Sequence, residues 1–191
     1  MSSPRPLPTR SGRVTIGFTG RIGAGKTSAA RYLEEAYGFQ YVRYSQVLAE
    51  WQATGPDAKN ELQQVGWEVM AGGAQIELNR KLVARLEPAR DHAVDGLRHQ
   101  IDYDTLRNTF TSSFFLIYID CPPDLRWQRL NLTSRYRTRQ DFEAADAHAV
   151  EQHIDELRPK ASAIIQNPGT IGDLYAELNS TLERIRSGEQ P

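Results

Sequence analysis

Eight consecutive residues carry the clearest chemistry in the chain: Gly20-Arg21-Ile22-Gly23-Ala24-Gly25-Lys26-Thr27. Their spacing is G-x-x-x-x-G-K-S/T, the pattern of a loop that wraps phosphate groups. Each residue type has a physical reason. Backbone N–H groups must converge on phosphate oxygens, and only glycine combines the required backbone angles with so close an approach. Gly20, Gly23, Ala24 and Gly25 are therefore read as the cradle. A helix that starts at the loop turns the positive end of its dipole toward the anion. Lys26 offers an ammonium to the β- and γ-phosphates, and Thr27 a hydroxyl to Mg2+. Coincidence supplies such a match in roughly one chain in a hundred of this length. The flanks reduce that further. A β-type run, Val14 to Phe18, precedes the loop, and a helical pattern from Lys26 to Tyr37 follows it, stopped by Gly38.

A second group is Asp95-Gly96-Leu97-Arg98, which ends the apolar run His92-Ala93-Val94. Two readings stand side by side. Asp-Gly is a favoured turn dipeptide. Beside a phosphate loop, an acid at the end of a neighbouring strand also supports Mg2+ or its water. Arg98 is either a surface residue or the holder of a second phosphate, for which its bidentate, permanently charged fork is suited.

Arg126, Arg129, Arg135, Arg137 and Arg139 fall within 14 residues. Chance supplies about 1.4 arginines in such a window. Three readings fit the excess. A mobile arginine loop that closes over transferring phosphate would add charge and exclude water. Arg137 with Asp141 and Arg139 with Glu143 have i,i+4 spacing and fit solvated pairs. A nucleic-acid patch is the third.

The elements that must position these groups alternate in type. Short apolar runs are expected as strands at Val14–Phe18, Phe39–Tyr44, His92–Asp95, Phe114–Ile119 and Ala163–Ile165. Helices are expected near 26–37, 45–51, 59–70, 75–86, after Pro122-Pro123, at 142–157 and at 173–186. Phe114–Ile119 is apolar almost throughout, as in a strand buried on both faces. Strand–helix alternation implies βαβ units and a parallel sheet. Residues 1–12, rich in Pro, Ser and Arg, are expected as a flexible tail, 13–186 as one domain with a lid at about 126–141, and 187–191 as a second tail.

Composition sets outer limits. The 191 residues carry 23 Lys+Arg against 24 Asp+Glu, a formal charge of -1, and are 39% hydrophobic. That length suits one domain. The balanced charge argues against a general nucleic-acid coat, and no run approaches the ~20 apolar residues of a membrane span. The single cysteine, Cys121, rules out an internal disulfide and fits a reducing, cytoplasmic setting. It is read as an inert buried thiol. His92, His99, His148 and His153 form no H-E-x-x-H pattern and are read as structural or solvated. Trp51, Trp67 and Trp127 are read as core residues before stacking platforms.

Taken together, these features resemble the P-loop kinases of small metabolites, nearest to nucleoside-monophosphate kinases and dephospho-coenzyme A kinases. Ile16 to Thr27 is similar to the opening of dephospho-coenzyme A kinases. Asp95-Gly96-Leu97-Arg98 resembles the Asp-Gly-x-Pro-Arg stretch of adenylate kinases, without its proline. Ile117 to Pro123, followed by Arg126 and Arg129, resembles the strand that leads to the lid. Ile164 to Gly169 resembles the late strand and loop that pack on the base. It also resembles a group of little-characterised kinase-like proteins with Ser after the second strand, here Ser45. Where dephospho-coenzyme A kinases resemble one another in an acidic pair, this chain reads Val42-Arg43-Tyr44-Ser45-Gln46, with no acid.

The resemblance implies a three-layer α/β/α P-loop NTPase fold with a parallel sheet of about five strands and a small Arg-rich lid. It implies ATP and Mg2+ as cofactors and a small phosphorylated acceptor as partner, a nucleoside or deoxynucleoside monophosphate first among them. Lys26 and the loop would hold the donor, Thr27 and Asp95 the metal, Arg98 with Arg43 the acceptor phosphate. Arg129, Arg135 and Arg137 would stabilise transferring charge, and Asn167 would lie near the adenine. Dephospho-coenzyme A or another metabolite is the alternative acceptor. A nucleotide-gated regulatory switch that binds a protein partner, and a kinase or binding module for nucleic-acid ends, stay open.

Overall fold

The computed structural model describes residues 12–51, 74–133, 136–189 and 191. The helix expected near 59–70, Trp67, Arg135 and residues 1–11 of the expected tail lie outside them.

Five short strands form the core of the fold: β1 (Thr15–Thr19), β2 (Gln40–Arg43), β3 (His92–Asp95), β4 (Phe114–Asp120) and β5 (Ala163–Gln166). They pair in the order β2-β3-β1-β4-β5, every neighbour parallel. β1 lies centrally and is buried along its whole length, as the apolar run around Ile16 and Phe18 requires. Side chains alternate between faces with period two. Phe114 and Leu116 of β4 join one core cluster, while Ile117 and Ile119 join the other.

Helices cover both faces. On one side α1 (Lys26–Tyr37) and α8 (Ile171–Ser187) press Ala29, Ala30, Leu33, Leu174, Leu178 and Leu182 onto Ile16 and Phe18. On the other, α2 (Tyr44–Trp51), α3 (Gln75–Val83) and α4 (Gln100–Phe110) bring Val47, Leu48, Leu78, Leu82 and Leu106 against Val94 and Leu116. Each fully buried Leu, Ile or Phe contributes about 1.5–3 kcal/mol. The result is the expected three-layer α/β/α arrangement. Trp51 packs against the second cluster with Lys81 5.5 Å from its ring centre.

The polar helix expected over 142–157 is two helices, α6 (Arg139–Asp146) and α7 (Ala149–Asp155). The break falls at Ala147-His148, with Asp146 on one side bonded to Arg126 and Glu151 on the other accepting from the amide of Ile22. α5 (Pro123–Asn131) carries Arg126 and Leu130 beneath the phosphate loop. Gly38, at φ 72°, ends α1 as expected and donates its N–H to Glu34.

Candidate active site

The loop 20–27 leaves the carboxyl end of β1 and runs into α1, whose N-cap is Gly25. Its glycines cannot be replaced without displacement. Gly20 has φ 135° and a Cβ there would lie 2.2 Å from the Ile119 carbonyl oxygen. Gly25 has φ 111° and a Cβ there would lie 2.6 Å from Asn167 Nδ2. Both angles fall in the region that side chains disfavour. Lys26 donates to the carbonyl oxygens of Gly20, at 2.5 Å, and Arg21, at 2.9 Å. Its ammonium therefore lies over the loop.

β3 runs beside β1 with Asp95 in register with Phe18. The N–H groups of Gly96 and Leu97 donate to the Phe18 carbonyl, and the Thr19 hydroxyl donates to the Leu97 carbonyl. These bonds fix Asp95 next to the loop. The Thr27 hydroxyl donates to Asp95 Oδ2 at 2.7 Å, and the Tyr41 hydroxyl does so at 3.0 Å. Arg43 Nε lies 3.5 Å from the same oxygen. Burial pushes the Tyr41 phenol up, and the neighbouring Asp95 charge adds to it. Thr27 and Asp95, expected together, are brought together. A hydroxyl and a carboxylate form a hard-oxygen pair of the kind Mg2+ accepts alongside phosphate and water.

The arginines divide into distinct roles. Arg126 is 2% exposed. It donates to the carbonyls of Cys121 and Ile22 and, bidentately, to Asp146 at 2.6 and 2.9 Å. It is a staple under the loop rather than part of a moving lid. Arg129 donates to the carbonyls of Asn167 and Gly169 at 3.0 and 2.9 Å. That pins it to the loop after β5. Arg139 pairs with Asp124 and Glu143 at the surface, as the solvated-pair reading of that spacing expects. Arg137 is exposed, with no polar partner among the described residues.

Sequence reasoning missed the acids that meet these arginines. Arg21 pairs with Asp155 at 2.7 Å and donates to the Asp146 carbonyl. Asp155 also accepts from the Tyr118 hydroxyl and is held below the usual carboxylate range, chiefly by Arg21. Glu151, fully buried, accepts from the Ile22 amide at 2.8 Å and from Arg98 at 2.6 Å. One signal was present, the i,i+4 spacing of Glu151 and Asp155. Asn167 donates to the Ala24 carbonyl at 2.8 Å, which sets it behind the phosphate loop. His92 is structural, its ring bridging Thr15 and the Glu87 carbonyl. Cys121 is buried, and burial raises its thiol above the ordinary value, in line with an inert role.

A phosphate-wrapping loop at the end of the central strand, with Thr27 and Asp95 beside it, defines a P-loop nucleotide-binding site. Residues 16–151 match the family model described as an AAA domain, and the chain belongs to that family. The dephospho-CoA kinase of Deinococcus radiodurans is 28% identical, over 96% of this chain and 97% of that protein. A UPF0200 protein of Aeropyrum pernix is also 28% identical, over 94% and 97%. Among solved structures, a gluconokinase from Sinorhizobium meliloti shares the fold with a TM-score of 0.66 at 13% identity, over 96% and 97%. The chain is a P-loop phosphotransferase of the small-molecule kinase type. Among the described residues no helix is long and apolar enough to cross a membrane.

Proposed function

We propose that this kinase moves the γ-phosphoryl of ATP, with Mg2+, to a small phosphorylated acceptor, a nucleoside or deoxynucleoside monophosphate first among them. The observation that carries this reading is the state of the carboxylates around the loop. Asp95, Asp146, Glu151 and Asp155 are each engaged by arginine, hydroxyl or amide donors. No unengaged acid stands there among the described residues to take a proton from an alcohol. An alcohol acceptor forgoes the rate that a positioned base contributes, about 10²–10⁴-fold. A monophosphate, with its second pKa near ~6, already presents an ionised oxygen at neutral pH.

In this reading an acceptor phosphate oxygen forms the new P–O bond while the bond to the β-phosphate bridging oxygen breaks and ADP leaves. Lys26 and the loop amides balance donor charge, and Thr27 and Asp95 would hold Mg2+, which would supply positive charge to the phosphates. Arg98 and Arg43 orient the acceptor phosphate, and Arg137, exposed and without a polar partner among the described residues, is the arginine assigned to the transferring charge. Catalysis of this kind depends on position and charge more than on a strong base.

A second reading, dephospho-coenzyme A or another metabolite as acceptor, is favoured by the Deinococcus relative. One assay separates them: ADP release from ATP and Mg2+ across nucleoside monophosphates, deoxynucleoside monophosphates and dephospho-coenzyme A. A monophosphate that raises turnover well above the acceptor-free rate supports the first reading. Stimulation by dephospho-coenzyme A alone replaces it with the second. Slow hydrolysis indifferent to all of them refutes both and turns attention to a switch. Lys26→Ala abolishes transfer in either kinase reading.

A further inference from the structure

Glu151 is fully buried, in the first turn of a seven-residue helix, and is paired with Arg98. Burying a carboxylate is costly unless its lone pairs are met. Here both oxygens are met by different parts of the site. Oε2 accepts from the Ile22 amide inside the phosphate loop, and Oε1 accepts from Arg98 Nη1, three residues beyond Asp95. A buried ion pair of this kind is about as stable as a well-packed apolar replacement, so stability alone gives little reason for it. Orientation does.

Arg98 is held by one edge only. Its Nη1 is on Glu151, its backbone N–H is on Asp102, and its Nε and Nη2 have no partner among the described residues. Its side chain is 31% exposed, against 0% for Glu151. The guanidinium is thus clamped on the buried side with its remaining donors toward solvent. A planar fork fixed in this way presents parallel N–H groups to an oxyanion.

We infer that Glu151 is a positioning residue: it ties the fork of Arg98 to the phosphate loop, so that acceptor phosphate and donor phosphate are held by one connected frame. This rests on the phosphorylated-acceptor reading above. The frame has three members, the Ile22 amide, the Glu151 carboxylate and the Arg98 guanidinium, joined by bonds of 2.8 and 2.6 Å. A shift of the loop on donor binding is transmitted to Arg98 through a single buried side chain.

The test is titration calorimetry of the full chain with the monophosphate panel, a non-hydrolysable ATP analogue and Mg2+ being present. Arg98→Lys keeps a positive charge for Glu151 but has no second edge. It weakens acceptor binding about ten- to a hundredfold, the range for a lost charged hydrogen bond, with the ATP analogue within about twofold. Glu151→Gln weakens the acceptor similarly, because its NH2 group must face either the Ile22 amide or Arg98. In the Arg98→Lys background it adds less than about twofold. Additive losses in the double variant, or an unchanged acceptor affinity in Glu151→Gln, overturn the inference while the acceptor reading stands. Wild-type protein that binds the ATP analogue and no monophosphate overturns both. If Glu151→Gln fails to fold, the Arg98 guanidinium resonances of the wild type decide the matter. Slowed rotation and resolved Nη signals are expected, and a freely averaging signal overturns the clamp.

Discussion

Replacing Arg126 by methionine removes a guanidinium that is 2% exposed and donates four hydrogen bonds, two to carbonyls and two to Asp146. Methionine fills much of the volume, so the loss is mainly electrostatic. Breaking a buried pair by removing one partner costs about 3–5 kcal/mol. Asp146 is 16% exposed and keeps Arg21 Nη1 at 3.4 Å, so the low end applies, about 3 kcal/mol. For a chain of this size that is a fall in midpoint of about 6–12 °C, and a large fraction of a total stability of about 5–15 kcal/mol. Urea unfolding gives the value directly, as a lower midpoint at unchanged slope. Removing the carboxylate as well, in Arg126→Met with Asp146→Leu, recovers part of the loss, because the acid left with Arg21 Nη1 at 3.4 Å as its remaining cation goes with it. A single-variant cost below about 1 kcal/mol, the range of an exposed pair, refutes the reasoning. It would return Arg126 to the solvated or lid arginines that its place in the sequence suggests.

Two more predictions concern the loop and the sheet. Gly25→Ala puts a Cβ at φ 111° and 2.6 Å from Asn167 Nδ2, so the loop must shift; calorimetry is expected to show ATP binding weakened by more than about tenfold, and unchanged affinity rejects the geometry. His92 is held below its ordinary value of 6.5 by burial, so the unfolded chain binds the proton first. Stability is full above about pH 6.5 and falls as pH drops through that value toward the folded one. An NMR titration that places the folded His92 ring at or above 6.5 rejects this.

What the residues decide by themselves is local in range. The phosphate loop is legible because its requirement lies within eight residues: positive φ and close approach at Gly20 and Gly25, an ammonium and a hydroxyl at fixed offsets. The central strands are legible because Phe114–Ile119, Val14–Phe18 and His92–Val94 are apolar or buried runs, and α1 ends at Gly38 because an αL residue stops it. The pairing of Thr27 with Asp95 was within reach for a related reason: adjacent parallel strands end at the same edge of the sheet.

The arginines show the opposite case. Their excess was plain in the sequence, yet a guanidinium's role depends on which carboxylate or carbonyl the fold delivers to it. Arg21 meets Asp155 across 134 positions, Arg98 meets Glu151 across 53, and Arg126 meets Asp146 across 20, at the end of α6. The two helices on either side of Ala147-His148 each deliver a carboxylate to the site, Asp146 to Arg126 and Glu151 to the Ile22 amide and Arg98. Residue types and spacing determined that this chain wraps phosphate. Which arginines hold the wall of the site, and which keep donors open to a substrate, was decided by tertiary structure, because a charge buried in a fold acquires its function from the partner packed against it.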